Sequence, residues 1–124
     1  MKIALIAHDG KKAEMVSFVM KRLNFFNRDD VEIVTTGTTG QFMTDAGVKG
    51  IEKVLSGPLG GDAQIASMVS EGKLSAVIFF RDPLGKHAHE VDVSMLMRLC
   101  DVHNVPLATN YKAGHIFIKH LSRK

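Results

Sequence analysis

Short runs of apolar residues recur along the chain, and none of them is longer than five residues. Several are rich in the β-branched and aromatic side chains that strands favour. Continuous apolar runs of this length are typical of strands that are buried on both faces. We therefore predict five strands, at residues 3–7, 31–35, 51–55, 76–80 and 106–109.

Between these runs, apolar residues recur every three or four positions, which is the spacing of one face of a helix. Gly47 and Gly72 follow two of these segments, as expected for residues that end a helix. The predicted buried stripes are Val16, Val19, Met20 and Leu23; Phe42, Met43 and Ala46; Ile65, Met68 and Val69; Val93, Leu96, Met97 and Cys100; and Ala113, Phe117 and Leu121.

Strands and helices thus alternate along the whole chain. Parallel strands need crossover connections, which are usually helices, so this order favours a parallel sheet covered on both faces. We predict an α/β fold, a three-layer αβα sandwich around a five-stranded parallel sheet. A chain of 124 residues has the length of one domain, and we expect a single domain over residues 1–124.

Composition and charge exclude several classes of protein. The net charge is only +3, the basic residues are dispersed, and one Tyr and no Trp leave little for base stacking, so we expect no nucleic-acid partner. Apolar runs of five residues are far shorter than the ~20 that span a bilayer, and no signal-peptide core precedes His8, so we expect no membrane partner. A single cysteine, Cys100, permits no internal disulfide and indicates a reducing compartment; we expect a cytoplasmic protein in which Cys100 is a packed thiol.

The candidate chemistry follows the strands. Polar, ionisable or glycine-rich segments come after four of them, at residues 8–12, 36–40, 56–62 and 81–92. In an open α/β sheet the carboxyl ends of parallel strands share one edge, and ligands bind there. Four separate connections at this edge predict a binding site more strongly than any one motif does.

Two of these connections are suited to an anion such as phosphate. Residues 36–40 offer three Thr hydroxyls, glycines, and the N-terminus of a following helix, although a plain turn with a Thr N-cap explains them equally well. The P-loop ending Gly-Lys-Thr/Ser is missing, so nucleoside triphosphate chemistry is not implied. Ser56 and Gly57 could hold the other side of the anion, and Lys12 could add a positive charge, although a lone lysine usually faces solvent.

The acidic and imidazole side chains allow more than one interpretation. Asp62 could be a general base or an ordinary helix N-cap, and Asp92 could be a first-turn charge on its helix. His87 and His89, with Asp92 and the distant His8-Asp9 pair, lack the compact spacing of zinc sites. We therefore predict no metal, and we expect these histidines to be hydrogen-bond donors.

Several ordered motifs resemble those of the methylglyoxal synthases, over essentially the whole chain. The matching segments are residues 4–9 (ALIAHD), 36–40 (TGTTG), 55–62 (LSGPLGGD), 80–84 with His89 and Asp92, and 106–110 (PLATN). The resemblance implies a homohexameric carbon–oxygen lyase with this α/β fold. It also implies conversion of dihydroxyacetone phosphate to methylglyoxal and inorganic phosphate, with no metal or organic cofactor.

The resemblance also implies roles for individual residues. Asp62 would be the catalytic base, and His89 and Asp92 would complete the catalytic set; His8 and His89 would contact the substrate, with Asp9 and Asp82 near it. The phosphate would be held by Lys12, Thr36, Gly37, Thr38, Thr39, Ser56 and Gly57. A related domain serves as a ligand-binding regulatory module in large biosynthetic enzymes, which is the alternative function for this chain.

Overall fold

The structure is a computed structural model that describes residues 1–85 and 91–124, without the side chains of Pro58, Val91 and Asp92. In these ranges the chain forms one five-stranded sheet in which all neighbours are parallel, with the order β3-β2-β1-β4-β5. The predicted strands are confirmed, although β2, β3 and β5 are shorter than predicted. Their bounds are β1 Lys2–Ala7, β2 Glu32–Thr35, β3 Ile51–Lys53, β4 Ala76–Phe80 and β5 Leu107–Ala108.

The described ranges also contain six α-helices, which cover both faces of the sheet. Alternate residues of β1 point to opposite faces, so Ile3 and Leu5 belong to one apolar core and Ala4 and Ile6 to the other. The first core is closed by α1, α2, α3 and α6, and the second by α4 and α5, which confirms the three-layer sandwich. The helices are α1 Lys12–Met20, α2 Leu23–Phe26, α3 Gly37–Asp45, α4 Gly61–Ser70, α5 Val91–Val102 and α6 Tyr111–Leu121.

The predicted stripe of the first helix is wrong in detail. The buried face of α1 is formed by Met15, Phe18 and Val19, whereas Met20 is 41% exposed. Phe18 packs edge to face against Phe80, and this large apolar side chain sets the rotation of the helix on the sheet. Phe42 and Met97 are likewise exposed, because the sheet covers a narrower strip of each helix than the sequence pattern predicts.

Cys100 is buried on the inner face of α5, as predicted for a packed thiol. Burial, together with the negative charge of Asp101, raises the pKa of the thiol to about 11. The thiol therefore stays protonated at neutral pH and is a poor nucleophile. None of the helices within the described part of the chain is long and apolar enough to cross a membrane.

The order of the strands determines where a crevice for a ligand opens. From β1 the chain runs outward through β2 to β3, then returns to the other side of β1 to form β4 and β5. In such sheets a crevice opens at the carboxyl ends of the two strands where the direction reverses, here β1 and β4. The connections after β1, β2, β3 and β4 all begin at this edge.

Candidate active site

His8 follows β1 and joins it to the connection after β4. Its backbone N–H donates to the carbonyl of Phe80 at 3.2 Å, and the backbone N–H of Asp82 donates to its ring Nδ1 at 2.9 Å. Because Nδ1 accepts this hydrogen bond, the proton of the neutral ring is on Nε2. The ring rests edge to face on Phe79, so its orientation is also determined. The ring of His8 is therefore held in a fixed orientation at this edge, with its proton on Nε2.

Asp82 links the connection after β4 to the connection after β1. Its Oδ1 accepts hydrogen bonds from the backbone N–H groups of Leu84 and Gly85, at 3.2 and 3.1 Å. Its other carboxylate oxygen lies against Gly10, where a Cβ would be only 2.6 Å away. Asp82 thus shapes the turn that orients His8.

Lys12 is the first residue of α1, and only 9% of its side chain is exposed. Its ammonium group donates to the carboxylate of Asp9, whose side chain is 94% exposed. The interpretation of Lys12 as a solvated surface lysine is therefore wrong. A buried positive charge that faces an exposed carboxylate can exchange this partner for another anion.

The connection after β2 buries two hydroxyl groups beneath the start of α3. Thr36 and Thr39 are buried, and the Thr36 hydroxyl donates to the Thr39 hydroxyl oxygen at 3.4 Å. Thr36 occupies the N-cap position, but its side chain caps no backbone amide, so a Thr N-cap does not explain this segment. The helix itself offers no acceptor to its first-turn amides, and those of Thr38 and Thr39 are suited to bind an anion.

The connection after β3 packs directly on that segment. The N–H of Gly37 donates to the carbonyl of Leu55 at 3.3 Å, and the N–H of Gly61 donates to the carbonyl of Ser56 at 3.0 Å. The amide side chain of Gln64, one turn into α4, accepts from the N–H of Leu55 at 2.7 Å. Residues 55–57 are thus held between the N-termini of α3 and α4.

Asp62 is the second residue of α4, and its carboxylate lies over Gly57. Both carboxylate oxygens are 3.4 Å from the position that a Cβ on Gly57 would occupy. The alternative in which Asp62 is the N-cap is wrong, because Gly60, with φ of 107°, holds that position. A carboxylate in the first turn of a helix is stabilised as an anion by the helix dipole.

The described residues bring most of the predicted site together. Leu5 and Thr35 are in register on neighbouring strands about 5 Å apart, so the connection after β2 begins two residues before the end of β1, at the same edge of the sheet. Neither His87 nor His89 belongs to the described residues, and for Asp92 only the backbone, in α5, is described. Residues 1–85 and 91–124 contain no cluster of three or more His, Cys, Asp or Glu side chains that could hold a metal ion.

Two residues at this edge were missed in the sequence, Gln64 and Thr35. Gln64 occupies an ordinary helix position, and nothing in the pattern shows that it anchors Leu55. The signal for Thr35 was available, because it ends a strand that the short apolar run predicts to be buried on both faces.

Comparison with known proteins identifies the family. The model of the MGS-like domain family matches residues 14–109. The methylglyoxal synthase of Carboxydothermus hydrogenoformans is 48% identical, over 98% of this chain and 99% of that protein. The methylglyoxal synthase of Acholeplasma laidlawii is 49% identical over the full length of both chains. The crystal structure of methylglyoxal synthase from Elizabethkingia anophelis NUHP1 superimposes with a TM-score of 0.87 at 39% identity, covering 94% of this chain and 76% of that one. The chain therefore belongs to the methylglyoxal synthase family and is an enzyme of that type.

Proposed function

We propose that this enzyme converts dihydroxyacetone phosphate to methylglyoxal and inorganic phosphate through an enediolate. The observation that carries the proposal is the position of Asp62. Its carboxylate lies over Gly57, in a segment that packs against the uncapped first turn of α3. A base is thus held next to a site suited to a phosphate dianion, and the substrate contains both a phosphate and an acidic C–H.

The phosphate group is bound by the segments that meet around α3. Lys12 supplies a buried positive charge, and Thr36 and Thr39 supply hydroxyl protons. The first-turn amides of α3 add N–H donors and the favourable end of a helix dipole. Further donors come from Thr38, Ser56 and Gly57. The N–H of Gly37, which the resemblance also assigns to the phosphate, instead donates to the carbonyl of Leu55, so Gly37 joins the two segments. When the phosphate binds, it replaces Asp9 as the partner of Lys12.

Asp62 removes a proton from the hydroxymethyl carbon of the substrate. The electron pair of that C–H bond forms the enediolate, whose oxygen is stabilised by the Nε2–H of His8. His89 is a second donor to this oxygen, and Asp92 orients it, in the roles that the resemblance implies.

The same enediolate would lead to isomerisation if the phosphate ester bond lay in its plane. Held out of the plane, the C–O bond overlaps the π system. The hydroxyl on the deprotonated carbon passes its proton to the other enediolate oxygen and becomes the aldehyde carbonyl, while the C–O bond breaks and its electron pair leaves with the phosphate. The remaining enol of methylglyoxal gains a proton on its terminal carbon and loses its hydroxyl proton. The phosphate contacts therefore select the product as well as bind the substrate.

Direct assay tests this proposal. The purified enzyme, incubated with dihydroxyacetone phosphate, should release methylglyoxal and inorganic phosphate in equal amounts. Phosphate released without methylglyoxal would indicate a phosphatase, and formation of glyceraldehyde 3-phosphate would indicate an isomerase. Either result would contradict the proposed elimination.

Removal of metal ions is expected to leave the activity unchanged. The proposed steps use a carboxylate, imidazole groups, an ammonium group and backbone amides, and none needs a Lewis acid. We expect the turnover number after dialysis against a strong chelator to equal that of the untreated enzyme. Activity that is lost on dialysis and restored by Zn²⁺ would contradict this assignment of roles.

Lys12→Met should weaken the binding of substrate and of inorganic phosphate together. Methionine fills the buried space without the charge, and loss of a charged hydrogen bond of about 1.5–3 kcal/mol corresponds to a ten- to hundredfold effect. The measurements are KM for the substrate and the competitive inhibition constant of phosphate.

Lys11→Met is the matched control, because the neighbouring Lys11 pairs with Glu14 at 3.3 Å. We expect this control to change either constant by less than about twofold, since pairs at the surface contribute little. An unchanged phosphate inhibition constant in Lys12→Met would remove Lys12 from the site.

We also propose that the enzyme acts in the cytoplasm as a homohexamer, as the resemblance implies. Leu59 and Leu84, in the connections after β3 and β4, are 70% and 95% exposed. Large exposed apolar side chains are what a subunit interface covers.

A further inference from the structure

Thr35 carries a buried hydroxyl group that has no part in the proposed reaction. It ends β2, its side chain is fully buried, and its Oγ1 has no hydrogen-bond partner among the described residues. The other buried polar side chains in the described ranges are Lys12, Thr36 and Thr39, and each of these has a partner. An unpaired buried hydroxyl costs free energy, and valine would have the same shape without that cost.

The hydroxyl of Thr35 faces the first turns of α3. A Cβ on Gly40 would collide with Thr35 Oγ1 and would lie 2.9 Å from Cδ of Lys53. Gly40 therefore lets α3 approach the end of β2 closely, and the Thr35 hydroxyl lies against the residue that follows Thr39. The unpaired buried hydroxyl thus lies against the first turn of the helix whose N-terminal amides are uncapped.

Binding of a phosphate changes the hydrogen bonds beneath this turn. In this structure the Thr36 hydroxyl donates to the Thr39 oxygen. A phosphate dianion only accepts hydrogen bonds, so both hydroxyl protons turn to it. The Thr39 oxygen, fully buried, then lacks a donor, while Thr35 still has an unused O–H.

We infer that Thr35 is a positioning residue for the phosphate site, which donates to the Thr39 oxygen when the site is occupied. This inference rests on the proposed function, because it requires Thr36 and Thr39 to bind phosphate. Thr35 does not touch the ligand. It supports the orientation of Thr39, and the hydrogen bond that it gains makes phosphate binding more favourable.

The test compares Thr35→Val, which lacks the hydroxyl, with Thr35→Ser, which keeps it. We expect the unfolding midpoint of Thr35→Val without phosphate to equal or exceed that of the unsubstituted enzyme, because an unpaired polar group has been removed. Its Kd for inorganic phosphate, measured by calorimetry, should rise about fivefold, and KM should rise with kcat little changed. Thr35→Ser should bind phosphate within about twofold of the unsubstituted enzyme.

Thr44→Val is the matched control on the same helix, because its hydroxyl donates to the carbonyl of Gly40 at 2.9 Å, away from the phosphate. It should leave the phosphate Kd unchanged. If Thr35→Val folds poorly, Thr35→Ser and Thr35→Ala still differ by the hydroxyl alone, and only the alanine variant should bind phosphate weakly.

Two results would overturn the inference on Thr35. One is a Thr35→Val variant with unchanged phosphate affinity, and the other is equal weakening in the valine and serine variants, which would indicate packing alone. An unsubstituted enzyme that binds no phosphate would overturn it together with the proposed phosphate site. An enzyme whose phosphate affinity depends on the Thr35 hydroxyl but that forms no methylglyoxal would overturn only the proposed reaction.

Discussion

Asp62→Asn is expected to lower kcat for dihydroxyacetone phosphate by about a thousandfold or more, within the range that a positioned general base contributes. Asparagine has the shape of aspartate, so its side chain can keep the place over Gly57. Its amide cannot take a proton from carbon. Because the phosphate contacts come from other residues, the inhibition constant of inorganic phosphate should change by less than about threefold.

The matched control for this variant is Asp45→Asn, which makes the same chemical change at the far end of α3. Asp45 is exposed and accepts a hydrogen bond from Gln41 at 2.8 Å. We expect its turnover to stay within about twofold of the unsubstituted enzyme. Turnover close to normal in Asp62→Asn, with the protein folded, would show that another group removes the proton.

The sheet was predictable because its signal is local. Ile3 to Ala7 and Ala76 to Phe80 are unbroken apolar runs, and each became a buried strand. Helix rotation was less predictable, as α1 shows. Two overlapping apolar stripes exist on that helix, and the choice between them depends on Phe80, more than 60 residues away in sequence.

The placement of the site at one edge was also predictable, since it follows from parallel strands alone. The burial, the hydrogen-bond partners and the tautomer of the individual side chains were not predictable. The burial of Lys12 depends on how α1 packs in the fold, and the tautomer of His8 depends on an amide 74 residues away. Asp62 was ambiguous because sequence does not show that Gly60 adopts a positive φ and takes the N-cap position.

Gly61→Ala should damage both stability and activity, because the structure has no room for a methyl group at this position. The added Cβ would collide with the carbonyl oxygen of Leu55 and lie 2.8 Å from its carbonyl carbon, both of which are backbone atoms. To relieve the clash, α4 and residues 55–57 must separate, which breaks the hydrogen bond between Gly61 and Ser56. We expect a loss of about 3 kcal/mol in the free energy of unfolding, at the upper end for overpacking.

The loss of activity in Gly61→Ala should exceed what unfolding explains. Asp62 lies on α4 and Gly57 on the displaced segment, so their separation moves the base relative to the phosphate. A misplacement of about 1 Å can cost about a hundredfold in rate, and we expect kcat to fall at least that far at a temperature where the variant is folded.

Gly72→Ala is the matched control, because it makes the same substitution just past the other end of α4 without a steric clash. Gly72 has φ of 72° and open space where a Cβ would lie, so alanine there is strained but meets no atom. We expect a loss of about 1–2 kcal/mol in stability and no change in kcat, since the strain is confined to that turn. A Gly61→Ala enzyme with normal kcat would mean that the contact between α4 and residues 55–57 does not position Asp62 for catalysis.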